Sequence, residues 1–281
     1  MTLPGLDDRQ AMLAATWLPD AALMANLSWG LTDSTVLHVA SRGEEFILKA
    51  GGPHNSHISR EITAYETVVP ALAARGHAPR MLHGDRSARI LVLPHIPGAL
   101  IDEGPLESDR DTVRQAGDIL STLHGMAKTV DDTIENGLVR AALRWLDKPN
   151  RILPRTAAIA RSVLEAYEAG PATVVPSHGD YSGRNWIRSD KLVVIDFGRF
   201  GYRPARQDFL RLYVRRWHDH PAEREWFFDG YGEAGEAEGY RWWVDVLREA
   251  VATTGWAHKV GDRAFEEQGL RFIDVALAEL E

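Results

Sequence analysis

The sequence predicts an α+β fold in two unlike parts, a small antiparallel sheet with helices followed by a mainly helical remainder. Three observations predict it. Residues 34–40 and 45–50 alternate apolar and polar as two strands, with Arg42-Gly43 as the turn between them. Most apolar residues after position 110 recur at helical spacing. Between these regions lies Pro94-His95-Ile96-Pro97-Gly98, a stiff boundary and the best linker candidate.

Taken in order, residues 7–18 read as a helix. The hairpin of 34–50 follows, and residues 57–73 show helical spacing through Ile58, Ile62, Tyr65, Val68 and Val69. Residues 90–93 form a short apolar strand that runs into the linker. Helices are expected over 112–128, 136–146, 151–169 and 205–218, with three more segments toward the end. One hairpin interrupts them: 186–188 and 192–195 flank a turn at Ser189-Asp190. The domain boundaries expected from this are 1–93, a hinge at 94–98, and 99–281.

The chain has 281 residues, of which 44% are apolar and 26% charged, so it can bury a core. No run approaches the roughly 18 apolar residues that span a bilayer, and no membrane association is expected. The N-terminus carries acids where a signal peptide carries bases, so no export is expected. There are no cysteines, which excludes disulfides, thiolate nucleophiles and Cys-ligated metals and suits a reducing cytoplasm. The net charge of −8 argues against a sequence-independent nucleic-acid binder. From Asp219 onward fifteen acids face six bases, so the last part carries −9 and the rest about +1. These acids read either as outer helix faces or as an acidic, aromatic-lined surface for a cation. His218-Asp219-His220 has metal-ligand spacing, but such a cluster at a helix end is more often solvated. Oligomeric state is not legible.

The strongest chemical signal is His178-Gly-Asp180-Tyr-Ser-Gly-Arg-Asn185, followed by Ile195-Asp196-Phe-Gly198. Phosphoryl transfer needs one carboxylate to orient and deprotonate an attacking hydroxyl, and oxygen ligands for magnesium on the nucleotide. Asp180 suits the first task. Asn185 opens the second hairpin and Asp196 closes it, so both sit at one end of two paired strands and suit the second.

On these motifs the chain resembles the aminoglycoside phosphotransferases and their relatives in the protein-kinase-like fold, over residues 27–212. Those relatives include choline, fructosamine and homoserine kinases and the viomycin and capreomycin phosphotransferases. The resemblance implies a bilobal fold with ATP between the lobes. It implies that Lys49, ending Phe46-Ile-Leu-Lys, contacts the α/β-phosphates and that Glu61 holds it, with Glu66 on the same helix as the alternative. It places a phosphate-binding loop at residues 28–34, with Gly30, Thr32 and Ser34 contributing. Asp33 stands where asparagine is usual, and its carboxylate would repel phosphate unless it points away or caps the turn. Adenine is expected against the linker, accepting from and donating to the backbone of Ile96 and Pro94 respectively. Asp208 is expected to brace the catalytic loop.

The implied activity is ATP- and magnesium-dependent phosphorylation of a hydroxyl on a cationic small molecule. An antibiotic fits, either an aminoglycoside or a cyclic basic peptide of the capreomycin and viomycin type, and resistance would follow. The alternatives are a metabolic kinase for choline, an amino sugar or an amino alcohol, and a nucleotide-binding pseudokinase.

Overall fold

The computed structural model describes residues 3–30, 33–102, 104–233 and 238–281. The chain forms two compact units, Met1–Leu123 with His178–Gly201, and His124–Ser177 with Tyr202–Glu281.

The first unit is built on an antiparallel sheet of β1 (Ala22–Asn26), β2 (Ser34–Ser41), β3 (Glu44–Gly51), β4 (His83–Asp85) and β5 (Ile90–Pro94), in the order β1-β2-β3-β5-β4. The β2–β3 turn is the expected one. Arg42 and Gly43 both take positive φ, 52° and 85°, the mirror-image turn whose twist matches that of paired strands. Side chains alternate across a sheet. Leu37, Val39, Leu48, Ala50, Ile90 and Val92 therefore share one buried face with Ala14 and Leu18 of α1 (Asp8–Trp17). Asp7 and Gln10 cap α1 reciprocally, and the buried Gln10 amide donates to the carbonyls of Gly51 and Ala88 at 3.0 and 2.8 Å. By the same alternation Lys49, between Leu48 and Ala50, points to the opposite face.

One expected helix is two. Residues 57–73 divide into α2 (His57–Thr67) and α3 (Val69–Ala74), because Pro70 starts a helix well but cannot continue one. Strands β1 and β4 were not expected. Ala-Leu-Met-Ala-Asn is made largely of helix formers, and it is extended because it pairs with β2 along the sheet edge.

The second hairpin, β9 (Trp186–Arg188) and β10 (Leu192–Val194), belongs to this unit and gains a third strand, β6 (Ala99–Leu100), directly after the linker. Gly98 makes that approach possible. Its φ is 152°, and a Cβ there would stand 2.4 Å from the Arg188 carbonyl oxygen. The hairpin is fastened to the α3–β4 connection: Val194 N–H donates to the His77 carbonyl at 2.9 Å, and His77 Nδ1 lies 2.9 Å from the Leu192 carbonyl oxygen. Helix α4 (Arg110–His124) closes the unit, its Ala116 carbonyl accepting from the buried Tyr181 hydroxyl at 2.7 Å.

The second unit contains β7 (Thr129–Asp131) antiparallel to β8 (Ala172–Ser177), with β11 (Gly201–Arg203) completing the sheet, and the helices α5 (Ile134–Leu146), α6 (Pro154–Ala166), α7 (Arg206–Leu212), α8 (Pro221–Tyr231), α9 (Gly239–Val260) and α10 (Arg263–Leu280). Helix α7 continues as a π-turn over Tyr213–Trp217. The mainly helical character is as expected; the short strands are not, since they are defined by their partners more than by their own residues. No described helix is long and apolar enough to cross a membrane.

Candidate active site

Three segments of the first unit converge. The alternation that turns Lys49 away from the α1 face turns it toward α2. There Nζ lies 2.8 and 3.0 Å from the two Glu61 carboxylate oxygens and 3.0 Å from Asp196 Oδ1. Glu66, the other acid of α2, instead pairs with Arg86 at the surface. Glu61 is buried, with 1% of its side chain exposed, whereas Asp196 is 50% exposed. Burial works against the Lys49 ammonium, but Asp196 and Glu61 outweigh it and hold its pKa above the ordinary lysine value. Burial pushes Glu61 up to about 7 against the pull of Lys49. Asp196 is held below the usual carboxylate range, chiefly by Lys49. Two carboxylates thus share one ammonium, and the more buried one gives up charge more readily.

Asp196 adopts φ 64° and ψ 67°, a left-handed conformation that Asp tolerates better than most residues. The turn after it is clamped. His57 Nδ1 lies 3.0 Å from the Gly198 carbonyl oxygen, and Phe197 packs edge-on to Tyr65 of α2 at 5.9 Å.

The Asp180 loop is joined to this turn by His178. The ring accepts from the Asp180 N–H at Nδ1 (3.2 Å) and donates from Nε2 to the Ile195 carbonyl (3.0 Å), which assigns the neutral Nε2–H tautomer. Asn185 Nδ2 donates to the Asp180 carbonyl at 2.8 Å, and the Ile195 N–H donates to the Asn185 carbonyl at 2.9 Å. With its nitrogen committed, Asn185 keeps Oδ1 as the end that can ligate a cation. Asp180 is buried, and its carboxylate meets two guanidiniums: Arg184 in direct hydrogen-bond contact and Arg199 at 3.9 Å. His178, Arg184 and Arg199 were not singled out from the sequence, although the first two lie inside the motif.

The loop before β2 takes φ 57° at Gly30. Thr32, expected in this loop, lies outside the described residues. Asp33 does not stand alone: its Oδ1 accepts from Asn55 Nδ2 at 2.9 Å, and Ser34 Oγ accepts from the same amide at 2.8 Å. Asn55 Oδ1 in turn accepts from the N–H groups of His57 and Ile58, at 2.8 and 3.2 Å. One asparagine therefore ties the loop to the start of α2, and nothing in its local sequence announces it.

At the linker, the His95 N–H donates to the Glu45 carbonyl at 2.9 Å, extending the β3–β5 pairing by one residue. Backbone groups alternate sides along a strand. The Pro94 carbonyl therefore faces the other edge, beyond the last β4 partner at Val92, and Ile96 lies past the end of β5.

Two expectations about other residues can be placed. Asp208 is fully buried, with His124 Nε2 3.0 Å from its Oδ2 and Tyr231 on the other ring nitrogen at 2.8 Å. His218-Asp219-His220 does not converge: His218 Nδ1 meets the Tyr213 hydroxyl at 3.1 Å, and Asp219 pairs with Arg271 at 2.6 Å.

Residues 24–243 match the model of the phosphotransferase enzyme family. The chain belongs to that family. Members of this family are enzymes of phosphoryl transfer, and the match extends past Leu212, where the sequence resemblance stopped, into α9. No curated protein matched the chain significantly. Among solved structures the phosphotransferase chain is similar to a choline/ethanolamine kinase family protein from Mesorhizobium loti, with 19% identity, 95% of this chain and 94% of that one covered, and a TM-score of 0.65. It is similar to a thermostable mutant of aminoglycoside phosphotransferase APH(4)-Ia in a ternary complex with ADP and hygromycin B, with 12% identity, coverage of 95% and 97%, and a TM-score of 0.70. It is also similar to APH(2")-IIia in a GDP and kanamycin complex, with 14% identity, coverage of 97% and 99%, and a TM-score of 0.67. These likenesses establish the fold, the α+β protein-kinase-like fold of aminoglycoside phosphotransferases.

Proposed function

We propose that the chain is an ATP-dependent kinase that phosphorylates a hydroxyl of a cationic small molecule. The observation that carries this reading is the Lys49–Glu61–Asp196 cluster, one ammonium fixed by two carboxylates of unequal exposure. Residues 1–93 supply the nucleotide site, 94–98 the hinge, and 99–281 the Asp180 loop and the acceptor site.

In this reading Lys49, kept charged and immobile by Glu61, meets the α/β-phosphates, and the loop at Gly30 and Ser34 covers them with backbone N–H groups. Adenine takes the hydrogen-bonding edge of Pro94 and Ile96. Asn185 Oδ1 and the half-exposed Asp196 carboxylate are hard oxygen donors, a set that fits magnesium. When bound, magnesium supplies positive charge that offsets the developing phosphate charge. Asp180 accepts the proton of the acceptor hydroxyl and aims its oxygen. Arg184 and Arg199 keep the Asp180 carboxylate in one orientation and bring positive charge beside the transferring group. Catalysis is thus mostly positioning and charge stabilisation.

An aminoglycoside or a cyclic basic peptide remains the first reading of the acceptor, supported by the antibiotic complexes among similar structures. The acidic C-terminal part supports it less than its charge suggests. Asp219, Glu223, Glu238, Asp245, Glu249 and Glu266 each pair with arginine, and Asp262 caps α10. Glu236 lies outside the described residues. The two guanidiniums beside Asp180 favour the second reading, a metabolic kinase whose acceptor carries a single cationic group, such as choline or an amino alcohol. ADP release measured over a panel of cationic acceptors decides. Turnover with antibiotics alone supports the first reading, and turnover with choline or amino alcohols the second. Silence across the panel with intact ATP binding contradicts both and favours a pseudokinase.

A further inference from the structure

Outside the Asp180 site, among the described residues, one group of side chains has the donors and spacing to hold a metal: His38, Glu45 and His95. His38 lies on β2, Glu45 on β3, and His95 just past the end of β5. Their convergence follows from register. His38 pairs with Ile47 and Ala40 with Glu45, and directly opposed residues share a face. His95 stands against Glu45, to whose carbonyl its N–H donates. All three side chains therefore leave the sheet on one side, across three adjacent segments.

Their donor atoms point together. His38 Nε2 lies 2.8 Å and His95 Nδ1 3.3 Å from Glu45 Oε2, and one ligand atom from each residue lies within 4.8 Å of the other two. The imidazoles stack at 4.2 Å between centroids and 17° between planes. Around a tetrahedral zinc with bonds near 2.0–2.1 Å, neighbouring ligand atoms stand about 3.3 Å apart. The donors are therefore close to the spacing an ion needs before any side chain turns. The half-exposed Glu45 leaves an entry path and room for water to complete the coordination.

We propose that His38, Glu45 and His95 bind a borderline divalent transition metal, zinc or nickel in kind, that ties β2, β3 and the linker together. Two imidazoles and one carboxylate suit zinc, nickel, cobalt or copper; they do not suit magnesium, which prefers oxygen donors like those of Asn185 and Asp196. The ion holds His95, and with it the chain between Pro94 and Ile96, against β3. This inference does not rest on the phosphotransfer reading, because it is measured without nucleotide or acceptor.

The test uses the full-length, tag-free chain stripped with EDTA and titrated calorimetrically with zinc chloride, with cobalt(II) absorption as a second readout. One equivalent is expected to bind, with visible cobalt bands and a melting temperature that rises with zinc and saturates. His38→Gln, His95→Gln and Glu45→Gln are each expected to weaken binding at least about tenfold, the lower range for disturbing a metal's surroundings. His218→Gln is expected to leave it unchanged. Melting of each variant in EDTA at the wild-type temperature shows that the fold is intact. No saturable zinc binding by the wild-type chain overturns the proposal. Wild-type stoichiometry and affinity in the His38→Gln/His95→Gln double variant do so as well, since zinc would then bind elsewhere.

Discussion

Each unit of the chain buries a cluster of ionised side chains, and the two clusters are built differently. In the second unit Glu135 and Asp245 meet Arg206 and Arg248, two acids and two bases that sum to zero. All four side chains are 5% exposed or less. Arg206 contacts both acids directly, Arg248 Nη1 lies 3.0 Å from Glu135 Oε2, and the Arg248 guanidinium stands 5.6 Å from the Tyr167 ring centroid. Burial opposes the Glu135 charge, yet the two guanidiniums hold its pKa below the usual range. In the first unit Lys49 faces two carboxylates, so with Glu61 ionised, above its pKa of about 7, one negative charge is left over beside the half-exposed Asp196. A balanced, sealed cluster joins α5, α7 and α9. An unbalanced one with an open carboxylate has the charge to attract a further cation, as the proposed function requires. On the proposed function, the contrast separates a structural network from a working one more sharply than burial or pKa shifts do alone.

The comparison is broken most severely at Asp196. Asp196→Ala is expected to bring magnesium-dependent turnover to background while the melting temperature stays within a few degrees. Magnesium titrations that overlay those of the wild type contradict this. Next comes Asp180→Asn, expected to lower kcat by about 10²–10⁴-fold, the span of general acid–base effects, with ATP affinity within a few-fold. Turnover and nucleotide binding on one preparation check it, and near-normal kcat removes Asp180 from the proton's path.

In the balanced cluster the expectation inverts. Glu135→Gln leaves Asp245 as the one carboxylate of the cluster against two buried guanidiniums. It is expected to cost about 3–5 kcal/mol, or roughly 10 °C in melting temperature. Whatever enzyme remains folded should turn over normally per active site. Calorimetry with active-site titration separates the two effects.

The smallest effect concerns Glu61. Its pKa is raised from 4.5 to about 7, so between those values the folded state binds a proton that the unfolded state lacks. Stability from this group therefore falls as pH rises through that window, on the order of 1–3 kcal/mol in all. Glu61→Gln should remove that slope. Melting curves of both proteins from pH 4.5 to 7.5 compare them, and parallel profiles contradict the assignment of the proton to Glu61.

The convergence of Asp180, Asn185 and Asp196 was legible because the three lie within one short motif, around the hairpin of β9 and β10. Lys49 was legible only through the family resemblance, since a lone lysine on a strand is usually solvated. Asn55 was not, since an asparagine that bridges Asp33 and the start of α2 looks like any loop residue until both partners are folded. Arg184 and Arg199 were equally silent, because a basic residue declares nothing about the carboxylate it will meet. Among the elements, the β2–β3 hairpin was readable from its turn. Strand β1 is imposed by its neighbour on residues that prefer helix, and β8 contains Pro176, which weakens a strand reading. The division of 57–73 was present in the sequence, at Pro70, and was masked by apolar spacing that runs through it. His95 lies far along the chain from the His38–Glu45 hairpin, and only the sheet's register brings the three together.

The central claim is that the unbalanced cluster works and the balanced one holds. It is tested most directly by measuring turnover per folded molecule and melting temperature for Asp196→Asn and Glu135→Gln, two substitutions that each remove one carboxylate charge at nearly constant shape. The account predicts a crossed result. Asp196→Asn melts near the wild type and does not turn over, whereas Glu135→Gln melts well below it and turns over normally once folded. Loss of stability in Asp196→Asn with retained turnover, or loss of turnover in fully folded Glu135→Gln, would contradict it.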